Sequence, residues 1–166
     1  MYNVGTYVSY RSEGICVVAE IKRQRFGALN EFKDFYVLSP VSDPNSKLFV
    51  PTDNERLVAK MRPLCSADDV NALAERLKDE RIEWIDISRP RTNAFRDIIS
   101  EGNREVLIKL IHTIIDHEKI HVTQGDITTL SRAKKMLIDE FSFTTDIKTD
   151  ADLMAVLTCE KKCNSK

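Results

Sequence analysis

The chain has 166 residues, 42% of them hydrophobic, which is enough to bury a real core as one domain or as two small ones. Charged residues make up 31%, yet the net charge is only −1, so no global field draws the chain toward nucleic acid or membrane, and DNA contact needs a local patch or a partner that delivers it. The opening MYNVGTYVSYRSEG lacks the basic region and apolar run of a signal peptide, and no window approaches the roughly 20 apolar residues of a membrane span, so a cytoplasmic protein without a membrane partner is expected.

The front of the chain is patterned as short strands. Residues 6–10 and 15–21 are rich in β-branched and aromatic side chains and are separated by Arg11, Ser12, Glu13 and Gly14, which predicts a hairpin. A charged loop over 22–31 precedes a strand at 34–38 (DFYVL), a turn through Pro40, Asp43, Pro44 and Asn45, and a strand at 48–50. Short consecutive strands of this kind predict a small, strongly bent antiparallel sheet or partial barrel whose edge is a natural docking surface. Residues 51–54 end the strand region, with Asp53 placed to cap a short helix over 55–60.

Beyond Pro63 the pattern turns helical, and the domain boundary is expected between Pro51 and Ser66. We divide the chain into a β unit over 1–60, a helical unit over 61–160 and a tail over 161–166. Ser66 and Asp69 have capping-box spacing and open a helix with Val70, Leu73, Ala74 and Leu77 on one face, ending near Arg81. Residues 82–91 read as a linker because Pro90 disfavours helix at Arg89. Thr92 or Asn93 then caps a helix through Phe95, Ile98 and Ile99 to Gly102, and Asn103 caps another over 104–116 with the cleanest apolar stripe of the chain: Val106, Leu107, Leu110, Ile111, Ile114 and Ile115. A helix from Asp126 carries Ile127, Leu130, Ala133, Leu137 and Phe141, and a last short one spans 150–157. The four cysteines, Cys16, Cys65, Cys159 and Cys163, form no CxxC pair, so reduced thiols are expected.

Two features carry potential chemistry. Trp84, the single tryptophan, lies between a charged helix and an arginine-bearing turn. It reads either as packing between two helices or as an aromatic wedge flanked by Arg89, Arg91 and Arg96, in which an indole pries at base steps while cations hold phosphates. His117, Glu118 and His121 spell HExxH, the spacing that places two imidazoles on one helix face for zinc, and Glu140 lies downstream where a third ligand could be sought. The segment falls at a polar helix end that runs into Val122, Thr123, Gln124 and Gly125, so it reads as a solvated terminus rather than a hydrolase centre. With no Walker loop and no GxSxG element, neither an enzyme nor a cofactor is expected.

Taken in order, VGTYVSY, a glycine after a short turn, DFYVL, LFVPTDN, a Ser-started acidic helix, a lone Trp, arginines, SEGN and two apolar helices resemble the CarD/CdnL family of bacterial transcription regulators over about residues 4–141. The FYVL to FVPTDN spacing and the Trp84 to SEGN arrangement are its most specific parts. The resemblance implies an α+β fold: an N-terminal Tudor-like or SH3-like β-barrel that binds the β subunit of RNA polymerase, then an all-helical domain that contacts promoter DNA. There a tryptophan matching Trp84 wedges into the minor groove and stabilises the open complex. Arg23, Arg25 and Phe49 are the implied polymerase contacts, and Trp84, Arg89, Arg91 and Arg96 the DNA contacts. Two departures stand out. Only Tyr10 and Gly14 match in the first hairpin, and the stretch from Trp84 to Ser100 is longer by about three residues. Between Ser66 and Asp146 there are 12 Lys plus Arg against 16 Asp plus Glu, a balance of −4, so intrinsic DNA affinity should be weak and salt-sensitive, and a polymerase tether must supply the rest. A docking protein that never touches DNA, and the zinc hydrolase, are the alternatives.

Overall fold

A computed structural model of the protein describes residues 1–26, 31–118 and 122–158, in two compact units that meet in sequence between Leu64 and Cys65. In the front unit, strands β1 (Tyr7–Tyr10), β2 (Ile15–Phe26), β3 (Glu31–Pro40), β4 (Leu48–Pro51) and β5 (Met61–Pro63) form one antiparallel sheet in the order β4-β3-β2-β1-β5. The one-turn helix α1 (Glu55–Val58) sits in sequence between β4 and β5. The β1–β2 hairpin turns through a single 3-10 turn, Arg11–Glu13, into Gly14 at φ 74°, a left-handed backbone that an L side chain adopts only at a cost. Val8, Tyr10, Cys16, Val18, Tyr36, Leu38, Val50 and Met61 make the core. Burial, with Glu13 adding to it, pushes the Cys16 thiol up to about 12, so it stays protonated and inert.

Three expectations need correction here. Residues 22–26 are strand, not loop: the KRQRF run pairs residue by residue with 31–35, so ladder hydrogen bonds override a charged composition. The strand region does not end at Pro51, because β5 returns to pair with β1 and is clasped by the Tyr2 hydroxyl, which donates to the Met61 carbonyl. The first unit therefore runs past residue 60. The α1 cap is Asn54, whose side chain accepts from the Leu57 N–H, rather than Asp53, which pairs with Lys33.

The second unit packs α2 (Ala67–Leu77), α3 (Ser88–Glu101), α4 (Arg104–His117), α5 (Gln124–Phe141) and α6 (Asp150–Leu157). Capping boxes open α2 (Ser66 and Asp69), α5 (Thr123 and Asp126) and α6 (Thr149 and Asp152), while Asn103 caps α4. Helix α4 is central: Leu107, Ile108, Leu110, Ile111 and Ile114 are all within 1% of full burial, each stabilising by about 1.5–3 kcal/mol against exposure. Helix α3 starts five or six residues earlier than its sequence suggests, with Ile87 rather than Thr92 or Asn93 at its N-cap. Pro90 occupies its first turn, where the missing N–H would have had no helical partner and φ near −65° is already helical. Gly102 closes α3 in the left-handed region at φ 62°.

One buried group of this unit titrates in an accessible range. Burial, reinforced by the nearby Arg81 guanidinium, holds His112 below the ordinary histidine pKa. The folded chain then keeps the ring neutral at a pH where the unfolded chain takes up a proton. Stability should fall as pH drops through about 6.5, by at most about 1.4 kcal/mol per pH unit for this one group. Urea denaturation at pH values on either side of that point should show the loss, and His112→Asn should flatten it.

Candidate functional site

Trp84 lies in the segment between α2 and α3, and that segment is fastened to the helices on both sides of the ring. The Arg81 Nε donates to Asp116 at 2.5 Å, and the Ile82 N–H donates to the Thr113 hydroxyl at 3.0 Å, which itself donates to the Lys109 carbonyl at 2.8 Å. On the far side, Arg91 reaches back from α3 and its Nη1 donates to the carbonyls of Ile85 (2.7 Å) and Asp86 (3.0 Å). These two residues follow Trp84 directly, so the turn after the indole has its own internal brace.

Arg91 is therefore not a phosphate contact, contrary to expectation. It is 2% exposed, and its Nε and Nη2 form a bidentate pair with the equally buried Asp126, at 3.2 and 2.9 Å. Asp126 also accepts from the Thr123 N–H and hydroxyl as part of the α5 capping box. Burial alone would raise this carboxyl, but the hydrogen bonds from Arg91 and Thr123 outweigh burial and hold it below the usual carboxylate range. No local pattern announces the pair, because its members lie 35 residues apart.

Trp84 itself is half-buried, neither sealed in the core nor fully exposed. The His117 ring lies parallel to it, 4.0 Å between centroids and 7° between planes. The Arg91 guanidinium carbon sits 4.3 Å from the indole centroid, and Phe95 meets the ring edge-on at 6.2 Å. The Nδ1–H of His117 donates to the Thr113 carbonyl at 2.8 Å. Beside the stack an open cleft of about 670 Å³ is lined by Trp84, Asp86, Ser88, His117 and Val122 among others. Sequence reasoning singled out His117 only as half of an HExxH pair. His121 lies outside the described residues, and Glu140, the downstream carboxylate, is buried against Arg104 at 3.1 Å.

Arg89 and Arg96 are exposed and, among the described residues, form no ion pair. Seven residues apart on α3, they lie two turns and about 10 Å from one another on one face, with exposed Asn93 between them.

In the front unit Arg23 and Arg25 are exposed and lie against Phe32, which is 55% exposed, their guanidinium carbons 5.9 and 4.9 Å from its ring centroid. Their register partners, Asp34 and Phe32, alternate with Tyr36 and so share its side of β3. Phe49, 44% exposed and edge-on to Phe35, pairs with Val37 and belongs to the opposite side. The structure thus joins the two arginines and separates them from Phe49, which lies on β4, a strand that among the described residues pairs with β3 alone.

The chain thus joins a five-stranded antiparallel sheet to a helical unit that carries a braced tryptophan. No described helix is long and apolar enough to cross a membrane. Residues 2–65 match the family model described as the CarD-like/TRCF RID domain, so the front unit is similar to that domain, which supports an RNA polymerase-interacting, transcription-related protein. A comparison with curated proteins gave no match.

The Arg91–Asp126 pair makes a sharp stability prediction. Removing one partner leaves the other charge buried without compensation, so Arg91→Met should cost about 3–5 kcal/mol in urea denaturation. Arg96→Met, at an exposed site, should stay within about 0.5 kcal/mol.

Proposed function

We propose that the protein is a transcription regulator, acting without catalysis, that docks on the β subunit of bacterial RNA polymerase through its front unit. It then presents Trp84 with Arg89 and Arg96 to promoter DNA and stabilises the open complex. The observation that carries this reading is the polymerase-interacting domain at residues 2–65 followed by a half-exposed, braced indole. A partner strand or loop laid along β4 would meet Phe49 on one side of the sheet, while the Arg23/Arg25/Phe32 cluster lies on the other side, past the stretch of β3 that β4 covers. Opening a base step costs a few kcal/mol, and an inserted aromatic edge offsets part of it. With Arg91 withdrawn into the interior, α3 offers two cations to phosphate, and residues 66–146 carry the acidic balance of −4. Affinity for bare duplex should be weak, and the high effective concentration created by docking makes weak contacts sufficient.

The stack over Trp84 and the acidic balance favour one competing reading, docking without DNA contact. Crosslinking from position 84 to promoter DNA in the ternary complex separates the two.

In promoter assays Trp84→Ala should leave polymerase binding intact and shorten the open-complex lifetime several-fold; an unchanged lifetime removes the wedge. Replacing both Arg89 and Arg96 by Ala should lower the slope of log affinity against log salt by about 0.9 for each phosphate that the variant no longer neutralises. Phe49→Asp and Arg25→Glu, each in the full chain, should abolish retention of polymerase. Retention by both variants would move the docking surface elsewhere on the sheet.

A further inference from the structure

We propose that His117 is a positioning residue for Trp84: it fixes the indole against the end of α4 in the one orientation in which the ring meets DNA beside Arg89 and Arg96. The inference rests on the reading that Trp84 engages promoter DNA. Three observations carry it.

The first is that the imidazole is itself fixed. It projects from the last turn of α4, and its Nδ1–H is tied one turn back to the Thr113 carbonyl at 2.8 Å, which sets the plane of the ring. The same Thr113 accepts the Ile82 N–H through its hydroxyl, so one residue sets both the imidazole and the chain leading into Trp84. The second is the geometry of the contact. A separation of 4.0 Å with 7° between planes is a true stack, and it places His117 on a face of the indole while Phe95 takes an edge. The third is the loop. Braces act on backbone at Ile82, Ile85 and Asp86, which fixes where the Trp84 backbone goes but leaves its side-chain torsions to the ring contacts, of which the His117 stack is the parallel, closest one beside Arg91 and Phe95. Without His117 the indole keeps its place in the chain and loses the one stacked ring that sets its plane, with Arg91 and Phe95 left beside it.

A ring held in one rotamer before DNA arrives gives up its side-chain freedom on folding instead of on binding. That matters in a unit with an acidic balance, where few charge contacts exist to offset the ordering of the ring. The second half of the HExxH spacing plays no part in this role, which accounts for His117 by its stack on the indole and needs no metal. His117 is half-buried and lies outside the main core cluster, so its removal leaves no large cavity.

Trp84 is the single tryptophan, so intrinsic fluorescence reports its surroundings alone. The test uses the full chain with His117→Ala, His117→Phe and Trp84→Ala, measuring acrylamide quenching of the free protein and open-complex lifetime with polymerase. His117→Ala should raise quenching and shorten the lifetime by about two- to ten-fold, the factor that corresponds to immobilising one side chain at an interface. His117→Phe, which keeps a flat ring for stacking, should behave like the wild type in both. Unchanged quenching in His117→Ala overturns the stack as a constraint on the indole. A lifetime in His117→Ala equal to or longer than wild type, where Trp84→Ala shortens it, overturns the positioning role and leaves the wedge standing. A Trp84→Ala lifetime equal to wild type instead removes the underlying reading, and the positioning role with it.

Discussion

The second unit is organised by one buried ion pair. Arg91 and Asp126 are both removed from water, and the cost of desolvating two charges is offset only because nearly every polar atom of the pair is used. The guanidinium donates twice to Asp126 and once each to the carbonyls of Ile85 and Asp86, and it lies against the indole of Trp84. The carboxylate in turn completes the Thr123 capping box. Three things that the chain presents as separate, the start of α3, the course of the Trp84 loop and the start of α5, are thereby set by two side chains. Such a pair contributes less to net stability than apolar residues of the same volume would. What it supplies is direction, because a bidentate contact accepts one geometry where a greasy contact accepts many.

That arrangement lowers the charge available at the surface. Of the three arginines around Trp84, the one closest to the ring is committed to structure, which leaves Arg89 and Arg96 on the exposed face of α3. Two phosphate contacts within an acidic unit do not amount to an independent DNA binder. Under the proposed reading the front unit resolves the difficulty, since a domain docked on polymerase would convert a bimolecular search into a local one.

Much of this could be read from the sequence, and the failures share a cause. The β1–β2 hairpin, the FYVL and LFVP strands, the Ser66 box, the Asn103 cap and the 150–157 helix announce themselves through neighbours within a few residues. The strand character of residues 22–26 does not, because a charged run becomes strand only by pairing with β3. Nor does β5, three residues long and ending on proline, which owes its existence to β1 some fifty residues earlier. Pro90 read as a stop and serves as a first-turn residue, a difference that hangs on a single position in register. Arg91 looked like a free cation because its partner is 35 residues away. For His117 the residue type was noticed for the wrong chemistry: its spacing to His121 drew attention, while the contact it makes is with an aromatic ring 33 positions upstream.

The stack also limits how Trp84 could meet a duplex. An indole with an imidazole parallel to it at 4.0 Å cannot be flanked by bases on both faces while that contact lasts. Full intercalation would require the ring to leave His117 and Arg91 and to uncover a buried guanidinium, which the braces at Ile82 and Ile85 oppose. What the ring offers without rearrangement is its open side along the cleft. Under the proposed reading, this favours insertion of an edge into a groove that is already widened over insertion of a flat plate between intact pairs. A rigid edge is useful where a step has begun to open, because it blocks closure without having to drive the opening itself. On that reading the protein would lengthen the life of a melted state that the polymerase creates, and would depend on being docked there to do so.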